Sequence, residues 1–262
     1  TNPGDPNASG NQRKNMMRSV EDSLKRMGTD YIDLLYLHMW DFRTPVDEIL
    51  RSFDDLVRQG KVLYIGLSDT PAWQASRMQA IAELRGWSQF CALQIQYSLI
   101  ERTVERELIP MAQEMGMSVS PWASLGQGLL TGKYSRADIA PGDLNEIGSR
   151  KAMNAVNGKL SERNFVIADR VTEIAQEISC TPAQLAVAWT LTNPAVCAPV
   201  IGARTPAQLA DNLGALSVEI SADQLARLDE VSTVPKVFPM DVLQGPAENM
   251  LFGNVRVEKR GL

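Results

Sequence analysis

Apolar residues recur every three to four positions and then gather into short unbroken runs, and these two patterns alternate along the chain. Asn11 is placed to cap a helix running through Met27, with Val20, Leu24 and Met27 on one face and Gly28 as its stop. The run YIDLLYLHMW (31–40) then reads as a buried strand. Thr44-Pro45 opens a second helix, whose Ile49, Phe53, Leu56 and Val57 face inward before Gly60 ends it; KVLYIGLSD (61–69) is the next strand. The Thr-Pro pair recurs at Thr70-Pro71, Thr181-Pro182 and Thr205-Pro206. Each pair offers a capping hydroxyl and then a residue whose fixed φ suits the first helical position. Further strands are expected at CALQIQYSL (91–99), MSVSPWA (117–123) and AVCAPVIG (195–202), and further helices over Glu101–Met115, Ser161–Ile178 and Pro182–Leu191. The pair Ser221 and Gln224 has the spacing of a capping box and opens a last helix.

Strands separated by helices imply βαβ units, and therefore an α/β fold with a parallel sheet. About five strands can be counted, against the eight of a closed (β/α)8 TIM-type barrel, so the expected fold is an incomplete barrel of that type. Residues 135–159 stand apart as a polar stretch without a clear period. No linker composition divides the chain elsewhere, and residues 1–262 are expected to form a single domain. The chain opens at Thr1 in the polar run TNPGDPNASGN, which reads as a loop; either further residues precede it or the chain has been processed.

Composition narrows the function classes. Hydrophobic residues make up 44% and charged residues 22%, the balance of a globular protein. The net charge of −5 comes without a basic stripe, which argues against nucleic acid as a partner. No apolar run has the length of a membrane span. Three scattered cysteines and a single histidine leave no basis for a structural metal site, and unpaired thiols suit a reducing cytoplasm.

Reactive groups in parallel α/β folds lie at the C-terminal ends of the strands. Those ends carry His38 with Trp40 and Asp41, then Ser68 and Asp69, then Gln94 to Tyr97, then Trp122, then Gly202 to Arg204. Taken singly, each polar residue at a strand end reads as a turn former. Five polar or aromatic ends on one rim are more than turns require.

The segments LLYLHMWD, GKVLYIGLSD, LQIQYSLIER, PWASLGQGLLTGKY and PVIGARTPAQLADNL, in this order, resemble successive segments of the aldo-keto reductase superfamily. The resemblance covers essentially the whole chain, and it is closest to the prokaryotic-type reductases and the potassium-channel β subunits. It corresponds to the C-terminal portion of that family. It implies a barrel that binds NADP(H) in an extended conformation and reduces a small-molecule carbonyl. No G-x-G-x-x-G follows a strand here, in keeping with a family that lacks that fingerprint.

By the resemblance, His38 matches the histidine that orients the substrate carbonyl and can donate to a developing oxyanion. Taken alone, it would read as a satisfied core histidine. Ser68 and Gln94 match the side chains holding the nicotinamide carboxamide, and Asp69 stands where asparagine is more usual; an ionised aspartate can accept but not donate there. Trp122 matches the aromatic stacked on the nicotinamide, and in isolation reads as core. Ser124, Leu125, Gln127 and Lys133 match the segment around the pyrophosphate. Gly202, Ala203, Arg204, Gln208 and Asn212 match the adenosine end, where Arg204 could meet a 2′-phosphate, or could be an exposed arginine at a helix start.

The family's general acid is a tyrosine adjusted by a lysine and an aspartate, all preceding the histidine strand, and residues 1–262 hold no counterpart of the three. Tyr36 and Tyr97 are the nearest stand-ins, without an evident lysine partner. The chain as given is therefore expected to be impaired in catalysis. The alternative is a non-enzymatic nucleotide-binding or interaction module that folds as an oligomer. An incomplete barrel has two edges beside apolar surface, so a homo-oligomer in which a second copy covers the open side is expected.

Overall fold

In the computed structural model, which describes residues 4–138, 154, 155, 157–243, 250–253 and 255, helices and strands alternate as the apolar pattern demands. The chain forms two compact units, Thr1–Ile95 with Glu107–Ser120, and Gln96–Arg106 with Pro121–Leu262. Among the described residues no helix is long and apolar enough to cross a membrane.

The first unit runs α1 (Arg13–Met27), β1 (Ile32–Leu37), α2 (Val46–Arg58), β2 (Val62–Ser68), α3 (Ala72–Arg85), β3 (Phe90–Gln96), α4 (Leu108–Glu114) and β4 (Ser118–Trp122). The strands lie in the order β1-β2-β3-β4, and both β1–β2 and β2–β3 pair in parallel. The α2 face Ile49, Phe53 and Leu56, with Met78 and Ala82 of α3, packs its core together with Ile65, Leu67, Phe90 and Leu93 of the sheet, all fully buried or nearly so. The Phe53 and Phe90 rings meet edge to face at 5.8 Å. Gly66 admits the Tyr36 ring: a Cβ there would lie 2.6 Å from Tyr36 Cε1.

The second unit holds α5 (Glu162–Glu177), α6 (Pro182–Leu191), α7 (Pro206–Leu213), α8 (Ala222–Ser232) and a tight run of turns over Gly126–Thr131. Helix α5 packs against α6, α8 and the Gly126–Thr131 turns. Buried Arg102 ties this unit together, donating to Glu105, to Asp229 Oδ1 at 2.6 Å and to Ser232 Oγ at 2.8 Å, with its guanidinium over the Trp189 ring.

Several expectations are corrected. Four strands, not five, form among the described residues. Residues 197–203 stay outside the sheet, where Val200 N–H reaches Pro121 O at 2.7 Å. Pro121 in β4 has no N–H to return to that segment, so this single bond is not extended at Pro121 itself. Strand β1 is mostly half-exposed, with only Leu37 buried, because it lies at the edge of the sheet. Helix α1 is capped by Gln12, whose side chain accepts from Lys14 N; Asn11 instead donates to Met39 O and Asp41. Its buried face is Met16, Val20 and Leu24, and Met27 is exposed. The helix expected over Glu101–Met115 breaks into a turn at Thr103–Glu105 and α4. The Thr-Pro pairs divide: Thr181 and Thr205 cap their helices, whereas the Thr44 hydroxyl donates to Asp41 and the Thr70 hydroxyl to Ser68 O. At those two earlier sites the proline itself stands at the cap position and the helix begins one residue later. The polar stretch 135–159 lies largely outside the described residues.

Candidate active and cofactor site

The parallel register sets the first group. Ser68, the last residue of β2, pairs with Gln94 of β3, and Asp69 follows it at φ +40°, a left-handed conformation that aspartate and asparagine tolerate better than most residues. Trp40 N–H donates to Asp69 O at 3.4 Å, which holds the loop after β1 beside the end of β2. His38 opens that loop and is exposed, and its imidazole makes no hydrogen bond among the described residues, so the isolated reading as a satisfied core histidine does not apply. Ser68 is 1% exposed, and its Oγ has no hydrogen-bond partner among the described residues. A buried hydroxyl left unpaired costs roughly 1–3 kcal/mol, so Ser68 is suited to a ligand rather than to the fold.

Asp41 does the opposite. Its carboxylate accepts from Asn11 N at 2.7 Å, Arg43 N at 2.9 Å, Thr44 N at 3.0 Å and Thr44 Oγ1 at 2.7 Å. Burial works to raise its pKa, but these bonds outweigh it and bring the group down to about 2. Asp41 is thus a turn former, the plain expectation for a polar strand end. The D-x-x-T spacing of Asp41 and Thr44 was the sequence signal for it.

The second group follows β4. Trp122 is half-buried, and among the described residues the buried Ser124 Oγ and the buried Gln127 Oε1 have no hydrogen-bond partner. Ala123 and Gln127, both at φ 56°, hold left-handed conformations that side chains disfavour, beside Gly126 at φ 55° and Gly128 at φ 97°. Leu125 packs with Ile201 on the buried cluster of Val187, Ala188 and Ala215, which brings this loop together with the Gly202–Arg204 segment. Lys133 is exposed, with its ammonium 4.9 Å from the Tyr134 ring centre. Arg204 is exposed at the start of α7, and neither cation has a carboxylate partner among the described residues. Gly202 and Ala203 are also exposed. Gln208 accepts from Arg204 N at 2.9 Å while its own N–H reaches the Thr205 cap, so its side chain shapes the Gly202–Thr205 turn. Asn212 is buried on α7.

The profile of the Aldo/keto reductase family matches residues 2–233. The chain belongs to that family. It is similar to norsolorinic acid reductase of Emericella nidulans, at 36% identity over 90% of this chain and 58% of that protein. It is also similar to an uncharacterised oxidoreductase of Bacillus subtilis, at 36% identity over 88% of this chain and 69% of that one. An aryl-alcohol dehydrogenase of Pestalotiopsis microspora is 34% identical over 86% of this chain and 55% of its own length. The chain thus spans 58% of the length of the norsolorinic acid reductases that it matches.

Aldo/keto reductases generally use NADP(H), and the polar groups of this member can be tested against such a ligand. In the first unit the buried Ser68 hydroxyl, and in the second the Ser124 hydroxyl, the Gln127 amide oxygen and the Lys133 and Arg204 cations, have no hydrogen-bond or carboxylate partner among the described residues, which in each unit by itself suits polar or phosphate groups of a ligand. The residues fit. Of the two tyrosines near these strand ends, Tyr97 is engaged within the fold. Tyr97 is buried; its hydroxyl donates to Glu105 Oε1 at 2.7 Å and accepts from Asn193 Nδ2 at 3.4 Å. Burial pushes the phenol up strongly; the Glu105 carboxylate adds to this, against the opposing bond from Asn193. Tyr36 has its ring laid across Gly66, one layer below the strand end.

Proposed function

We propose that this chain carries the cofactor-binding part of an NADP(H)-dependent oxidoreductase acting on an aldehyde, ketone or alcohol. The observation that supports this most is the set of buried polar atoms, Ser68 Oγ, Ser124 Oγ and Gln127 Oε1, left unpaired at positions matched to the cofactor. Ser68 and Gln94 would hold the carboxamide, and Trp122 would cover one face of the nicotinamide. Ser124, Leu125, Gln127 and Lys133 would surround the pyrophosphate, and Arg204 would meet the 2′-phosphate through charge-assisted hydrogen bonds. When bound, NADP(H) supplies the hydride. His38, exposed with its imidazole unengaged, would donate to the substrate oxygen as negative charge develops there.

Residues 1–262 alone are proposed to bind the nucleotide and to turn over slowly, because Tyr97 holds its proton too tightly to serve as the acid. Self-association along β1 belongs to the same proposal: β1 pairs with β2 alone among the described strands, so its outer backbone groups can take a second copy. A single monomeric species in sedimentation at micromolar concentration would remove that part.

Titration with NADPH, followed by tryptophan fluorescence, tests the main reading. Saturable quenching that Arg204→Ala weakens supports it, and single-turnover oxidation of bound NADPH by aldehydes then measures the chemistry. A flat titration of folded protein overturns it in favour of an interaction module.

A further inference from the structure

Asn154 sits beside the loop after β4 with its side chain wholly buried. Its backbone is tied to the approach to α5, since Lys159 N–H donates to Asn154 O at 2.8 Å and Asn164 Nδ2 donates to Lys159 O at 2.9 Å. Its side chain points the other way. Asn154 Nδ2 donates to Gln127 O at 3.3 Å and lies 3.5 Å from the Tyr134 hydroxyl, while its Oδ1 has no partner among the described residues. Gln127 and Gly128 form the left-handed kink of the loop, with φ of 56° and 97°. Over that kink lies Lys133: a Cβ on Gly128 would fall 2.6 Å from its Nζ.

These contacts form one chain of support from the capped start of α5, through Asn154, to the kink and the cation above it. An amide is expensive to bury, and a leucine of similar size would gain burial energy in the same space. The amide therefore has to contribute something that an apolar side chain would not. A kink containing a non-glycine residue at positive φ persists only where its surroundings hold it.

We propose that Asn154 is a positioning residue: it clamps the Gln127 carbonyl and so keeps the Gln127–Gly128 kink and the Lys133 ammonium in the arrangement that receives a diphosphate. The inference rests on the nucleotide-binding reading for its ligand, but the clamp itself is a property of the chain without ligand.

The experiment compares Asn154→Ala and the size-matched Asn154→Leu with the parent chain. Hydrogen exchange of ligand-free protein should be about tenfold faster at amides 126–133 in both variants, while amides of α6 are unchanged. NADPH affinity should fall about tenfold, whereas that of 2′-phosphoadenosine, which has no diphosphate, should stay the same. Unchanged exchange at 126–133 overturns the clamp, and so does an equal loss for both nucleotides, which marks a general loosening. If Asn154→Ala does not fold, Asn154→Leu decides alone. If the parent chain binds neither nucleotide, the cofactor reading fails, and the exchange comparison still upholds or overturns the clamp.

Discussion

The loops after β1 and after β4 both carry polar residues at a strand end and use them in opposite ways. After β1, the one carboxylate is fully occupied: Asp41 accepts four hydrogen bonds from Asn11, Arg43 and Thr44, and its pKa falls to about 2. After β4, Ser124 Oγ and Gln127 Oε1 are buried without partners on a backbone with left-handed kinks. The first loop commits its carboxylate to its own folding. The second withholds its polar groups, and a fold that leaves buried oxygens unpaired gives up stability that a bound ligand can restore. A polar residue at a strand end is therefore informative only once its partners are known.

Breaking the first loop should be costly. Asp41→Ala leaves the N–H groups of Asn11, Arg43 and Thr44 without their acceptor, and urea denaturation should show a loss of about 2–3 kcal/mol. The second group should respond in binding rather than stability. Arg204→Ala is expected to weaken NADPH by about 30-fold, roughly 2 kcal/mol, and to leave NADH unchanged, as read by fluorescence titration.

Acid sharpens the contrast. The folded pKa of Asp41 lies below its unfolded value, so its contribution is whole above about pH 4 and is lost as pH falls through about 2. Allowing for solvent screening of this half-buried group, about 1–2 kcal/mol of stability should disappear across that window. Asp41→Asn should flatten that part of the stability–pH curve. The smallest effect is the most telling: Ser124→Ala should lower NADPH affinity about fivefold, near 1 kcal/mol, while stability stays level or rises slightly. A Ser124→Ala chain that is clearly less stable would place the hydroxyl in the fold and end the comparison.

Periodicity carried far at the level of elements. Gly28 in its left-handed cap and the Ser221–Gln224 capping box were legible, because each depends on residues within one helical turn. The strand ends carrying His38, Ser68 and Trp122 were legible for the same reason. The Thr-Pro pairs were legible only by half. Thr44 and Thr70 have the same local chemistry as Thr181 and Thr205, but Asp41 and the Ser68 carbonyl compete for their hydroxyls. The strand expected at 195–202 did not form: its one bond to β4 is Val200 N–H to Pro121 O, and a proline can accept there but has no N–H to return.

The sequence by itself determined where helices and strands alternate, which strand ends carry polar groups, and the family to which those segments belong. Only the tertiary structure decided which polar groups are consumed by folding and which are left over. It occupied Asp41 and Tyr97, left Ser68, Ser124 and Gln127 unpaired, and set Asn154, from a stretch without any period, beneath the kink of a loop 27 residues earlier in the chain. Periodicity reports which way a side chain faces, whereas hydrogen-bond satisfaction depends on neighbours that are distant in sequence and meet only when the chain folds.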